Sequence, residues 1–408
     1  MPSSLNTELR DSDTGYLQTP SMHLLEKLGL VRRRDAGLVI LDDIFPHLLS
    51  AFRIAEFNAY LARYENALVY STGVSFSALG DKRSFQGVRD EYLSRYPEFK
   101  GRTLPFRNQR LKARLIYFVF LQGARNFMQL LERSRTPFIF TLYPGGGFKL
   151  NQPDSDAVLS KVCSLPNLAK VITTQKISHE YLLNFLGPEK IEFIYGGVFP
   201  SDRLAKAAVA RRYYRQDKQT FDICFVAYKY MARGAHKGYD VFVEVARELS
   251  KLHDDIFFHV VGQYDESDID VSDLKGRIKF YGVRQTEFFP RFYSEMDLIL
   301  APNVPFTIFP GAFDGFPPGG CIEAGLCGVA VFCTDALNQN IAFKEREEIV
   351  IVPQSVQGIC ELVDRYYRDY DGLLQLARRG QEAFTAAFAI ETQLEKRFKI
   401  LDKYLLES

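Results

Sequence analysis

The sequence predicts two doubly wound α/β domains in tandem, each a parallel sheet covered by helices. Three observations lead there. From Gly37 onward, short apolar runs rich in β-branched and aromatic residues alternate with amphipathic stretches, the pattern of a parallel sheet with both faces covered. The alternation breaks at the polar, basic segment Ser201–Thr220 and restarts at Asp222. The chain has 408 residues, more than one core ordinarily holds.

In the first half the expected strands are Leu38–Leu41, Ala67–Ser71, Ile116–Phe120, Phe138–Leu142, Val171–Thr174 and Ile191–Tyr195, bounded by turn residues. Amphipathic helices are expected over Ala51–Arg63, Arg125–Arg133 and His179–Leu186. In the second half the strands are Asp222–Val226, Ile256–Val261, Ile278–Tyr281, Leu298–Ala301, Val329–Cys333 and Glu348–Val352. The helices there are Asp240–Leu252, Gln285–Ser294 and Gln357–Tyr367, then Asp369–Phe388 and Ile390–Leu406. The organisation that follows is an N-terminal extension over 1–35, with a short helix near Met22–Arg34, and a Rossmann-like domain over 36–205. A second such domain covers 218–389, and a last helix, 390–408, can pack back on the first domain. Ligands of such sheets bind beyond the carboxyl ends of the strands, so two sets of ends facing a central cleft would form the site.

Composition narrows the function classes. The net charge is +1, far from that of a protein that holds nucleic acid through bulk charge. The six cysteines have no CxxC or zinc-type spacing, so a reducing, cytoplasmic setting is expected. The N-terminus is polar, unlike a signal peptide, and no apolar run reaches the ~18 residues of a membrane span. No string with the spacing of a metal or calcium site is present, and none is expected.

The segment Gly311–Asp335 carries the most chemistry. Asp314 opens a Gly/Pro-rich turn, Gly319 and Gly320 start a helix, and Glu323 lies one turn inside it. Helix-start amides attract anions, so the amides of Gly319, Gly320 and Cys321 suit a diphosphate, and the two acids suit sugar hydroxyls. The bland reading is a glycine-rich loop before a capped helix. Between a strand and a helix, Arg233 and Lys237 can grip a diphosphate and stabilise its departure; otherwise they are two solvated cations. Gly262 ends one strand, and Tyr281-Gly282-Val283 follows the next. Backbone there can meet a nucleobase edge, with Tyr281 or Val283 on its face, or simply turn. In the first half Tyr143, Gly145 and Gly146 follow a strand and can contact a sugar or acceptor. His47 is a candidate acceptor-side base, although a lone loop histidine is more often a satisfied hydrogen-bonder. Arg102, Arg107, Arg110, Lys112 and Arg114, interleaved with Leu104, Phe106 and Leu111, can rest on an anionic membrane or form a solvated face. The run Arg203–Lys218 reads as linker.

Taken in order, Arg233, Lys237-Gly238, Val261-Gly262, Phe280-Tyr-Gly282-Val, Met296–Pro302, the Asp314-to-Glu323 string and Gly328-Val-Ala-Val resemble the donor domain of glycosyltransferase family 4, retaining enzymes of GT-B fold. The resemblance spans residues 221–353, and Ile191–Pro200 resembles the segment closing the acceptor domain. It implies that Arg233 and Lys237 hold the diphosphate, Gly282 and its neighbours take the base, and Glu323 binds the ribose. Asp314 with the Gly319 and Gly320 amides would place the sugar and phosphates. It further implies a nucleotide-sugar substrate, no cofactor or metal, and a glycan or lipid-linked acceptor for surface polysaccharide synthesis. Four departures stand out. The first acid is Asp rather than Glu, eight residues rather than seven separate the acids, and Tyr143 stands where a histidine is common. The Arg–Lys gap is also one residue short. The alternative is a catalytically inactive GT-B-like module that binds a glycan or a partner.

Overall fold

The computed structural model describes residues 36–207 and 211–406; the extension 1–35 and the helix expected near Met22–Arg34 lie outside the described residues. Seven strands form one sheet: β1 (Ala36–Asp42), β2 (Leu68–Ser71), β3 (Thr103–Pro105), β4 (Ala113–Val119), β5 (Phe138–Leu142), β6 (Leu168–Thr173) and β7 (Ile191–Phe193). Six form another: β8 (Phe221–Val226), β9 (Ile256–Val261), β10 (Ile278–Phe280), β11 (Leu298–Ala301), β12 (Ala330–Cys333) and β13 (Val350–Ile351). The orders are β3-β2-β1-β4-β5-β6-β7 and β10-β9-β8-β11-β12-β13. All pairings are parallel.

The near-continuous apolar strands reflect two-sided burial. In β1, Leu38 and Ile40 enter one core while Val39 and Leu41 enter the opposite one. In β11, Leu298 and Leu300 split from Ile299 and Ala301 in the same way. Each sheet is thus the middle layer of three, and each reverses its strand order once, between β1 and β4 and between β8 and β11.

The last helix, Ile390–Leu405, returns to the first sheet and buries Leu394, Leu401 and Leu405 there. Asp402 accepts from Arg63 (2.6 Å) and Tyr64 (2.8 Å). Arg397, fully buried, lies 3.8 Å from Glu56 and 3.4 Å from the Tyr143 hydroxyl.

Three sequence expectations are corrected. The strand expected through Phe120 stops at Val119, because Phe120 takes a left-handed φ of +64° and opens the helix Phe120–Arg133. Within the basic stretch, Thr103–Pro105 is an edge strand, too short to show periodicity. The segment Ser201–Thr220 is not bare linker: residues Ser201–Ala207 are helical, and two later cations are structural. Arg211 donates to the carbonyls of Met296 (2.8 Å) and Cys327 (3.3 Å). Buried Lys218 donates to Asp222 (2.6 Å), Asp297 (2.7 Å) and the Glu295 carbonyl. Asp222 also accepts from His259 at 2.7 Å.

Removing one partner from a buried charge cluster strands the others. Burial raises the Asp297 pKa even with Lys218 beside it. Lys218→Met should therefore cost about 3–5 kcal/mol. The loss should be larger at pH 8 than at pH 5, since the orphaned carboxylates can protonate at the lower pH, and thermal melts at the two values check this.

Candidate active site

The second sheet's reversal point supplies two loops. The loop after β8 carries the short 3₁₀ turn Ala232–Lys237, in which Arg233 (φ +56°) and Gly234 (φ +59°) are left-handed. The loop after β11 runs through Asn303 to Pro318. They are tied at 3.1 Å by the Val304 amide and the His236 carbonyl. They are tied again by Lys237 Nζ, 2.5 Å from Asp314 Oδ1. Asn303 Nδ2 holds the other Asp314 oxygen at 2.7 Å. Burial would raise the Asp314 pKa, but the Lys237 ammonium and the Asn303 amide hold it below the usual carboxylate range. Lys237 also lies 5.8 Å from the Tyr230 ring. Arg233 is exposed, with no ion pair among the described residues. Sequence reasoning missed Asn303 and Tyr230, whose only signal was a place just after a strand.

The Asp314 loop also reaches the first half. Gln175, just after β6, donates to the Phe316 carbonyl (3.2 Å) and accepts from its amide (3.1 Å). Gly311 accepts from the Leu150 amide at 2.9 Å. Phe313 packs on Phe148 at 5.7 Å.

The helix Gly319–Leu326 begins beside these loops. A Cβ on Gly320 would come 2.8 Å from the Val226 carbonyl, so glycine lets the helix start abut the end of β8. The amides of Cys321 (2.9 Å) and Ile322 (3.1 Å) already donate to the Pro318 carbonyl. That removes Cys321 from the predicted set, and its side chain is buried too. Gly319 and Gly320 keep the first two amides, and Gly319 is exposed. Glu323 is buried, with no side-chain hydrogen bond or ion pair among the described residues. Burial alone pushes its pKa up to about 7.

Gly262 (φ +142°) turns tightly at the end of β9, where a Cβ would stand 2.1 Å from the Ala227 carbonyl. Its amide donates to the Gly282 carbonyl at 3.1 Å. Gly282 is open around its Cα, and Val283 is half-buried. Tyr281 departs from expectation. Its ring packs on Phe292 (5.2 Å) and its hydroxyl meets His259 at 2.8 Å, so the side chain serves the sheet rather than a base.

In the first half the structure turns two predicted groups inward. The buried Tyr143 hydroxyl donates to Glu56 at 3.0 Å, inside a cluster with Tyr117 and Arg397. His47 is buried. Its Nδ1 accepts from the Leu49 amide (3.3 Å) and its Nε2 meets Asp81 (2.9 Å). Burial lowers its pKa, so it is a satisfied structural histidine. Gly145 and Gly146 remain at the end of β5, both left-handed, with Gly146 exposed. In the basic stretch, Arg102 donates to the carbonyls of Tyr64 (2.5 Å) and Ala67 (3.0 Å), and Arg114 to that of Leu405 (2.8 Å). Arg107 and Arg110 stay exposed. Among the described residues no helix is long and apolar enough to cross a membrane.

Two doubly wound sheets with strand ends turned to one cleft have solved counterparts. A structure of Anabaena HepE in complex with UDP and glucose superposes with TM-score 0.64 at 15% identity, over 90% of this chain and 99% of that one. Sucrose-phosphate synthase from Thermosynechococcus elongatus gives 0.59 at 15%, over 90% and 99%. A glycosyltransferase from Rickettsia africae gives 0.61 at 15%, over 92% and 100%. The fold is GT-B. Within it, residues 221–369 match the family of glycosyl transferases group 1, the half that holds Lys237, Asp314 and Glu323. No curated protein matches the sequence.

Because the folded-state pKa of Glu323, about 7, lies above its unfolded value, its contribution favours folding at low pH. That contribution is lost as pH rises through 7. Glu323→Gln should therefore raise the melting temperature by a few degrees at pH 8 and change it little at pH 5. Differential scanning calorimetry at both values measures this, with up to about 3 kcal/mol at stake.

Proposed function

We propose that the protein is a retaining, metal-independent glycosyltransferase that moves a hexose from a nucleotide sugar to a glycan or lipid-linked acceptor at the cytoplasmic side. The observation that carries it is Glu323: an unpartnered, buried carboxylate, one turn inside a glycine-started helix, in the half matching glycosyl transferases group 1. In this reading the ribose hydroxyls donate to Glu323. The amides of Gly319 and Gly320 take phosphate oxygens at the positive end of the helix. Arg233 and Lys237 meet the charge that develops on the departing diphosphate. Gly262, Gly282 and Val283 offer backbone to the base. Asp314, drawn toward Lys237, places the sugar or is displaced by the phosphate. The acceptor hydroxyl enters from the first half, past Gly145 and Gly146, on the face the diphosphate leaves, which retains anomeric configuration. Exposed Arg107 and Arg110 are the cations that remain for an anionic membrane surface.

Two observations favour a second reading, an inactive binding module of the same fold: Lys237 is already neutralised by Asp314, and the Tyr143 hydroxyl faces inward. Nucleotide binding and turnover separate the two readings.

UDP at 100 times its Kd should stabilise the protein by about 2.7 kcal/mol, visible as a rise in melting temperature. A panel of UDP- and GDP-sugars should include one that is slowly hydrolysed. Lys237→Ala and Glu323→Ala should each lower turnover on the order of 10²-fold or more. Absence of both a thermal shift and hydrolysis, or wild-type rates in both variants, would refute the enzyme reading.

A further inference from the structure

The first sheet has its own reversal point, between β1 and β4, and the donor reading leaves its side chains unused. β1 ends on Asp42, Asp43 begins the loop after it, and Phe120 follows β4 directly. Open parallel sheets bind ligands at such a point. Asp42 has partners on both of its oxygens. One oxygen accepts the amides of Ile44 (2.7 Å) and Phe45 (2.6 Å), and the other accepts Arg53 Nε at 2.9 Å. Asp43 differs. Its Oδ2 takes the Ser75 hydroxyl at 2.7 Å, but its Oδ1 stands 3.7 Å from Arg53 Nη2, too far for a hydrogen bond. A carboxylate has about four acceptor sites, so capacity is left over.

The surroundings have the chemistry of a sugar site. The Arg53 guanidinium lies 5.0 Å from the Phe52 ring and 4.8 Å from the Phe120 ring, and the two rings meet edge-on at 76°. Both rings are only half-buried. The site also faces the donor side. The Tyr228 hydroxyl, in the loop after β8 that also carries Lys237, donates to the Ala78 carbonyl at 3.4 Å, so the loop that holds Ser75 meets the donor-side loop.

We propose that Asp43, Ser75, Phe52 and Phe120 form the acceptor subsite, and that they take a neutral, hydroxyl-bearing sugar ring. This rests on the donor reading of the second half. The spare lone pairs of Asp43 accept from hydroxyls. The aromatic faces cover the apolar C–H face of a pyranose ring. An anionic acceptor group would meet two carboxylates and one guanidinium already paired with Asp42. Burial and the neighbouring Asp42 raise the Asp43 pKa, so a further negative charge is unwelcome there.

Saturation-transfer NMR on the full chain tests this, with and without UDP. The probes are the neutral methyl β-glucoside, galactoside, mannoside and N-acetylglucosaminide against the anionic methyl β-glucuronide. At least one neutral glycoside should bind better than the glucuronide. Asp43→Asn should weaken it on the order of tenfold while UDP still raises the melting temperature of the variant. Should that variant not fold, Ser75→Ala, which leaves the charges in place, should weaken the same glycoside about threefold. No neutral glycoside bound, equal or better binding of the glucuronide, or wild-type affinity in the folded variant would overturn the assignment. A wild-type protein that ignores UDP overturns the donor reading instead, and the glycoside arm without UDP still decides this one.

Discussion

An ion pair, Lys237 with Asp314, reinforces the Val304–His236 backbone hydrogen bond between the loops that leave the second sheet on either side of its reversal point. Each loop alone is a length of irregular backbone after a strand. Joined, they form one wall, with Asn303 fixing the far oxygen of Asp314. The same wall touches the other half through Phe316 and Gln175. A ligand that competes for Lys237 therefore acts on a segment that also helps hold the halves together. The ion pair and the contact with the first half thus lie on one loop.

Glu323 shows what such a site demands of the fold. A buried carboxylate with no partner opposes folding at neutral pH, yet it sits in the well-packed helix Gly319–Leu326 among Cys321, Ile322 and Leu326. Elsewhere the protein treats buried acids differently. Asp222 and Asp297 share Lys218, and Asp42 is held by two amides and Arg53. The contrast within one chain separates acids that hold the structure from one kept available.

Much of the architecture was legible because parallel strands buried on both faces read as unbroken apolar runs. Leu38–Leu41 and Leu298–Ala301 are clear instances, and their ends fell where the structure has them to within two residues. The strand Thr103–Pro105 was hidden because three residues at an edge carry no period. Lys237 and Asp314, which the structure brings together, could be singled out because glycines, acids and cations there cluster just after strands. The errors share a cause: sequence position does not say which way a side chain points. Tyr143 and His47 follow strands as expected, but their polar atoms turn into the core. Lys218 looked like one more linker cation until its two carboxylates came into view from positions 222 and 297.

The return of the last helix makes the chain cross between the halves twice. The two crossings touch: the Ile390 amide donates to Ser201 Oγ at 2.9 Å, and Gln393 donates to the Tyr195 carbonyl at 2.9 Å. Two linked straps leave far less freedom than one. Any twist or slide of one crossing past the other has to break these two bonds.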